Sequence, residues 1–441
     1  MVSRSLKLSV DTLILLMIIS AVIGIAVSYG DFYLFHLLLF GLLVISFIQI
    51  KNANFLLSLK TRSGNYDLFF LAMFFWYALS FYWAPNMIYA GKYMFYIFCG
   101  IAIAQAVIYY AGNLSKMNAL FRIMSIIFLI EIVVALLESF TAFRLPISPY
   151  SPWSTFFGKE PVNFEAFDNL FVYSDFRPPT GFHWNTNNLA ITMVMILPFF
   201  LCSHQVLAKI LGSIAITSII LLAASRAVFL GLIIILCFYL IIIKKKVVTL
   251  SIIWFSVIGL FWGMSQLTES ENPRINEVAN TLEALTLYLK GDIDVGGSLE
   301  WRGELVNNGI TALVKSKGLG VGAGGSVAIQ EKIGGVAGRF TSMHNFWIEI
   351  LVEAGVVFFS LMIIWYGSII FNLFKICKLG SNNQIKYYAS PLLLAMIGFI
   401  PAAIAASSTI YFFPMWIMFG MAIAVISIYR KGESIHHNFN Q

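Results

Sequence analysis

Twelve apolar stretches of about 20 residues run along the sequence, and they restrict the possible folds more than any motif does. Only 11% of the residues are charged, whereas soluble domains average about a quarter. The sequence therefore predicts an all-α polytopic membrane protein with about twelve transmembrane helices. The stretches lie near residues 10–29, 31–50, 66–85, 93–112, 119–139, 187–205, 208–224, 227–243, 247–264, 346–373, 388–407 and 410–428.

The distribution of basic residues predicts the orientation of these spans. Sixteen of the 28 lysines and arginines fall on one side, where the short loops hold almost no acidic residues. By the positive-inside rule this side is cytoplasmic, and both termini lie there. The formal net charge of +7 thus reflects membrane orientation, and it indicates no nucleic-acid partner.

The N-terminal and cysteine patterns narrow the class further. The first apolar stretch has full span length and no small-residue cleavage site after it, so no cleavable signal peptide is expected. The four cysteines lie in apolar stretches or on the predicted cytoplasmic side, where neither a disulfide framework nor a metal site is expected.

The predicted orientation divides the chain into five parts. A large extracytoplasmic loop is expected before the tenth span, partly helical through NEVANTLEALTLYLKG at 276–291 and Gly-rich through GLGVGAGG at 318–325. The parts are spans one to five in 1–139, an extracytoplasmic loop at 140–186, spans six to nine in 187–264, the large loop at 265–345, and spans ten to twelve with a cytoplasmic tail in 346–441.

The stretch RPPTGFHWNTNNLA at 177–190 closes the first predicted outer loop. Arg177 either extends to the membrane interface or takes part in a site. Asn187 and Asn188 lie where the next helix begins, and either is expected to be its N-cap.

Ser225 and Arg226 form the whole connection between two apolar stretches. The topology places Arg226 outside, where positive charge is disfavoured, so it needs an anionic partner. A lipid phosphate and a substrate both fit that requirement.

Arg302 lies on a predicted helix that leads into the Gly-rich stretch. Glycines let the backbone approach either a ligand or another helix closely. The stretch lacks the Lys and Ser/Thr of a phosphate-binding P-loop, so ATP binding is not expected.

His344 and Asn345 stand directly before the tenth span. An imidazole with several outer-face arginines suits a diphosphate, because guanidinium groups bind phosphate oxygens in pairs and imidazole accepts a proton near neutral pH. Glu349 and Glu353 follow one helical turn apart. They either orient Arg226 or His344 or pair with arginines across the bundle, and a structural role is favoured.

Together these motifs resemble the O-antigen ligase superfamily, which also includes many polysaccharide polymerases. The resemblance covers about residues 60 to 430, and one departure is Phe358, where ligases usually have Gly, Thr or Tyr. It rests on Arg177, Gly181-Phe182, Asn187/Asn188 with Ala190, Ser225-Arg226, Arg302 with GLGVGAGG, and His344-Asn345 followed by nine residues and Gly355.

The resemblance implies a glycosyltransferase that uses no metal ion and no cofactor and inverts the anomeric centre. Its donor would be a glycan on undecaprenyl diphosphate, bound at the outer face of the bacterial inner membrane. Arg177, Arg226 and Arg302 would hold the diphosphate, and His344 would be catalytic. Supporting roles are expected for Asn187, Asn188, Ser225, Arg339, Asn345 and Glu349.

The acceptor is left open by the sequence. A lipid A–core acceptor would make the protein a ligase. A second lipid-linked repeat would make it a polymerase, for which a chain-length regulator is a candidate partner. A protein acceptor, as in a protein O-oligosaccharyltransferase, is a third alternative. A twelve-span transporter or flippase for lipid-linked sugars is a fourth, although the two halves show none of the internal repeats that many transporters have.

Overall fold

The computed structural model describes residues 2–49, 65–161, 178–223, 225–244, 298–334, 341–406 and 410–439. Helices dominate these residues. In chain order they are α1 (Val2–Ile23), α2 (Leu34–Gln49), α3 (Tyr66–Leu79), α4 (Met87–Tyr110), α5 (Leu114–Phe140), α6 (Thr186–Leu201), α7 (Val206–Leu222), α8 (Arg226–Phe238), α9 (Ser298–Lys315), α10 (Gly325–Ile333), α11 (Phe346–Leu379), α12 (Asn383–Ala402) and α13 (Phe413–Phe439).

Short elements complete the described part of the chain. A two-stranded antiparallel hairpin of β1 (Ser28–Tyr29) and β2 (Phe32–Tyr33) joins α1 to α2. A 3₁₀ helix at Pro152–Phe157 follows α5 and contacts the hairpin, where the Gly30 N–H donates to the Phe157 carbonyl at 2.6 Å. A π-helical segment, Tyr239–Lys244, continues α8.

Seven helical segments among the described residues are long and apolar enough to cross a membrane, and four shorter helices are apolar as well. Together they match eleven of the twelve predicted spans, so the all-α polytopic architecture is confirmed. The ninth predicted span and the predicted helix at 276–291 lie outside the described residues. The number of membrane crossings therefore stays a prediction.

Helix α12 occupies the middle of the bundle, packed against α6, α8 and α11. The approach of α8 to α12 depends on glycine, because a Cβ atom built at Gly231 would lie only 2.7 Å from the Gly398 carbonyl oxygen. Small residues of this kind let helix backbones come close in a membrane, where packing rather than a hydrophobic driving force holds helices together.

The starts of α6, α8 and α11 and the ends of α5 and α12 lie at one end of the bundle, which we call the site end. One hydrogen bond there joins the start of α11 to the end of α12, from the Phe346 N–H to the Ala403 carbonyl at 3.1 Å. Another joins the segment before α6 to the end of α5, from the Thr180 N–H to Glu138 Oε2 at 2.7 Å. The opposite end carries basic residues of the predicted cytoplasmic loops, including Lys116, whose ammonium lies 2.7 Å from Asp11 Oδ2.

Candidate functional site

The junction between the large loop and α11 holds His344 and Asn345. Asn345 is the N-cap of α11, and its side-chain oxygen accepts from the Ile348 N–H at 3.3 Å. This bond satisfies an amide that a helix start leaves without an intrahelical partner. His344 is half-buried and has a left-handed backbone, with φ of 47°. Histidine is one of the few non-glycine residues enriched in that conformation.

Arg302 lies within electrostatic range of His344, and Arg226 lies within electrostatic range of Arg302. Arg226 is the first residue of α8, and Arg302 is in the second turn of α9. Burial lowers the pKa of Arg302, and the Arg226 guanidinium lowers it further. Burial also lowers the pKa of His344 to about 4, with the Arg302 guanidinium adding to the effect. Because such effects weaken with distance, Arg302 lies close enough to interact with both Arg226 and His344. That the three residues form one site stays a prediction.

This arrangement suits an anionic ligand. Two guanidinium groups that destabilise one another's charge gain from an anion between them, and arginine binds phosphate oxygens in pairs. Ser225, the buried N-cap of α8, makes no capping hydrogen bond with its side chain. The start of a helix is itself a favourable place for a phosphate group, because its amides point outward and its dipole is positive there.

The two acidic residues of α11 connect helices. Glu349 and Glu353 are both buried. Glu349 Oε1 accepts from the Tyr93 hydroxyl of α4 at 2.8 Å, and Glu353 Oε1 accepts from the Ser326 hydroxyl of α10 at 2.7 Å. These contacts tie the first part of α11 to α4 and to the start of α10.

Helix α11 is kinked at Gly355, whose φ of 80° and ψ of 174° are not helical. The kink leaves carbonyl groups of the preceding turn to be satisfied from outside the helix. The Gly-rich stretch does this: the Val321 N–H donates to the Val352 carbonyl at 2.9 Å, and the Gly322 N–H donates to the Glu353 carbonyl at 3.0 Å.

The contact continues on both sides of the kink. The Trp76 indole N–H donates to the Ala354 carbonyl at 2.8 Å, and the Val356 N–H donates to the Gly318 carbonyl at 2.9 Å. A Cβ atom at Gly320, which has a φ of 92°, would collide with the backbone of the kink. Of the two alternatives for the glycines, the structure therefore shows close approach to a helix.

The prediction for the N-cap of α6 was wrong. Asn185 is the N-cap, and its side-chain oxygen accepts from the Asn187 N–H at 2.7 Å. Asn187 and Asn188 both lie within the helix, because the backbone becomes helical at Thr186. Asn188 is buried there, and its position beside the site stays a prediction.

Two further predicted residues, Arg177 and Arg339, lie outside the described residues. The segment that follows Arg177 is well anchored. Glu138 Oε2 accepts from the backbone N–H groups of Thr180 and Gly181, each at 2.7 Å.

Sequence reasoning missed a second cluster at the site end. His183 Nε2 lies 3.0 Å from Glu131 Oε1 and 2.9 Å from the Thr192 hydroxyl. Glu131 and Glu138 are buried on α5 seven residues apart, two turns along one helix face. Two acids on one face of an otherwise apolar span were the available signal.

Comparison with known proteins defines the class. Residues 211–363, which include Ser225, Arg226, Arg302 and His344, match the family model described as O-antigen ligase. This segment of a polytopic membrane protein is thus similar to the O-antigen ligase family, and the resemblance seen in its motifs is confirmed. That similarity is typical of glycosyltransferase-type enzymes of polysaccharide biosynthesis.

A relative extends the similarity to most of the chain. It is the teichuronic acid biosynthesis protein TuaE of Bacillus subtilis, 22% identical over 432 residues. The alignment covers 94% of this chain and 83% of the relative.

Proposed function

We propose that the protein is a membrane glycosyltransferase that moves a glycan from an undecaprenyl-diphosphate carrier to an acceptor hydroxyl at the outer face of the cytoplasmic membrane. One observation carries the proposal: Arg302 lies within electrostatic range of both Arg226 and His344, and all three residues belong to the segment that matches the O-antigen ligase model. The basic residues at the opposite end support the outward orientation of the site.

The arginines bind the donor diphosphate. When the bond between the anomeric carbon and the phosphate oxygen breaks, its electron pair stays on the diphosphate. Fixed guanidinium groups stabilise this developing negative charge without reorganisation during the reaction. Because they supply positive charge where a metal ion otherwise would, the transfer is expected to continue in EDTA.

His344 acts on the acceptor. The hydroxyl oxygen attacks the anomeric carbon from the face opposite the diphosphate, which inverts that centre, and the hydroxyl proton passes to the imidazole. An imidazole acts as a base only when it is neutral, and burial and Arg302 favour the neutral form.

Donor binding adjusts this base. In the free protein the His344 pKa of about 4 makes the imidazole a weak base. A bound diphosphate brings negative charge beside Arg302, which favours protonation of His344 and raises its pKa. The donor thereby moves the pKa of the base towards the pH at which it works.

We favour polymerisation, in which the acceptor is a second lipid-linked glycan. The relative that covers most of the chain is named for the biosynthesis of teichuronic acid. Ligation to lipid A–core is the second candidate, because the family model is described as O-antigen ligase.

Purified protein supplied with defined acceptors tests the function. With lipid-linked repeat units alone, a polymerase produces a ladder of longer lipid-linked glycans. A ligase gives no ladder and adds the glycan to lipid A–core when that acceptor is present. No transfer to either acceptor, by protein that is folded and binds the donor, would refute the proposal.

A further inference from the structure

Gln330 connects the two segments that carry Arg302 and His344. It lies in α10, and its side chain is completely buried. Its Nε2 donates to the Leu305 carbonyl of α9 at 2.9 Å and to Met343 Sδ at 3.5 Å. Leu305 lies one helical turn after Arg302, and Met343 directly precedes His344.

The rest of the amide is also used. Gln330 Oε1 accepts from the Asn308 Nδ2 of α9 at 3.1 Å. Burying an amide costs free energy unless its donors and acceptors find partners, so all three contacts fix the position of the side chain. Gln330 thus joins a turn of α9 to the residue next to His344.

Packing around Gln330 leaves little freedom for these segments. Val321, Met343 and Val352 form a small apolar cluster separate from the main core. Gly309 of α9 faces this cluster, and a Cβ atom there would lie 2.6 Å from the Met343 Cε. Helix α9 and Met343 are therefore in close contact at the place where the glutamine bridges them.

We propose that Gln330 is a positioning residue that holds His344 in register with Arg302, so that the general base and the diphosphate-binding group face one sugar. This inference rests on the proposed function. Gln330 acts through Met343 and α9 and touches neither substrate. Misplacing a reacting group by about 1 Å is enough to lower a rate about 10²-fold.

Gln330→Leu tests the proposal, since leucine has similar size but makes none of the three hydrogen bonds. We expect kcat to fall about 10- to 100-fold, while KM for the lipid-linked donor changes little because both arginines remain. The variant should also let His344 move away from Arg302, which raises the pKa of the imidazole. The acid limb of the pH profile of kcat/KM is therefore expected to shift from about pH 4 to higher pH.

Milder variants keep the test informative if Gln330→Leu folds poorly. Met343→Leu removes only the sulfur acceptor, and Asn308→Ala removes only the bond to Oε1. Each should show part of the kcat loss and part of the shift in the acid limb.

Asn372→Leu is the matched control. Its Nδ2 donates to the Tyr66 hydroxyl at 3.0 Å and to the Ser368 carbonyl at 2.7 Å, at the opposite end of the bundle. This variant loses a partly buried amide too, and it should leave the acid limb and kcat per folded molecule unchanged.

The outcomes separate two failures. Wild-type activity in His344→Ala would overturn the proposed function itself. An inactive His344→Ala together with wild-type kcat and an unmoved acid limb in folded Gln330→Leu, Met343→Leu and Asn308→Ala would overturn only the positioning role. A kcat loss without a shift in the acid limb, matched by Asn372→Leu, would also overturn it.

Discussion

Two regions at the site end use the same residue types in different ways. Each has a histidine just before a helix, His183 before α6 and His344 before α11. Each also has a pair of buried glutamates on a membrane helix, Glu131 with Glu138 on α5, and Glu349 with Glu353 on α11.

The difference lies in what surrounds the histidine. His183 Nε2 lies 3.0 Å from a buried carboxylate oxygen of Glu131, and Glu138 binds the backbone of the same loop. His344 instead lies near the Arg302 guanidinium, while the described contacts of the α11 glutamates are with helices. An acid beside a histidine fixes a loop, whereas burial together with a nearby cation lowers the pKa of His344, keeps its imidazole neutral and leaves it able to accept a proton.

Removing the imidazole at position 344 should have the largest effect. We expect His344→Ala to lower turnover about 10²- to 10⁴-fold, because a general base contributes that much, with donor binding retained. His344→Gln keeps hydrogen bonding but accepts no proton. Turnover of both variants is measured with purified protein and lipid-linked donor, and near wild-type turnover in His344→Gln would mean that the imidazole only positions the acceptor.

Changing the cation beside the site should have the next largest effect. Arg226→Lys keeps the charge and loses the paired contact with phosphate, at a cost of about 1.5–3 kcal/mol, or about 10- to 150-fold in kcat/KM. Lys209→Arg at the opposite end is a control for altered basic side chains. Full activity of a normally expressed Arg226→Lys protein would make Arg226 a membrane anchor.

The pH dependence should reveal the burial of His344 and the Arg302 guanidinium near it. The imidazole must be deprotonated to act, and its lowered pKa means that kcat/KM, which reports the free protein, should stay level down to about pH 4. Below that pH it should fall about tenfold per unit. The limb of kcat should lie at higher pH, because the bound diphosphate raises the pKa. Coincident limbs in the two profiles would contradict an effect of the donor on His344.

Disturbing the other histidine should affect stability more than turnover. His183→Leu removes the partner of the buried Glu131 carboxylate, so we expect the free energy of unfolding to fall by about 1–3 kcal/mol. Activity per folded molecule should remain. Thermal unfolding in detergent and specific activity measure the two effects separately, and a variant with unchanged stability but lost turnover would place His183 in the reaction.

Hydropathy was sufficient to predict the helical architecture, because a span must be apolar along its whole length. The position of Asn345 at the start of α11 could also be predicted, because the residue directly precedes an apolar stretch. The contact of His183 with Glu131 could not be predicted, because it joins segments 52 residues apart in the chain. The N-cap of α6 was misassigned because WNTNN offers three asparagines, and backbone geometry selects among them.

The Gly-rich stretch illustrates a further limit. Its glycines permit the backbone to approach another group closely, but the sequence does not show which group. In the structure that group is the kink of α11, which is created by another glycine, Gly355. Gln330 gave no signal either, since a glutamine in a polar helix is normally exposed. Its role depends on Met343 and Leu305, which only the folded chain brings to it.

The left-handed backbone at His344 limits how this position can drift during evolution. Only glycine and a few polar residues, chiefly Asn, Asp and His, adopt such a φ readily, whereas β-branched side chains are strained. Many substitutions at position 344 would therefore strain the backbone, whatever their effect on catalysis. Asparagine and glycine would be tolerated structurally, so lineages that lose the activity are expected to retain the fold with one of these residues at position 344.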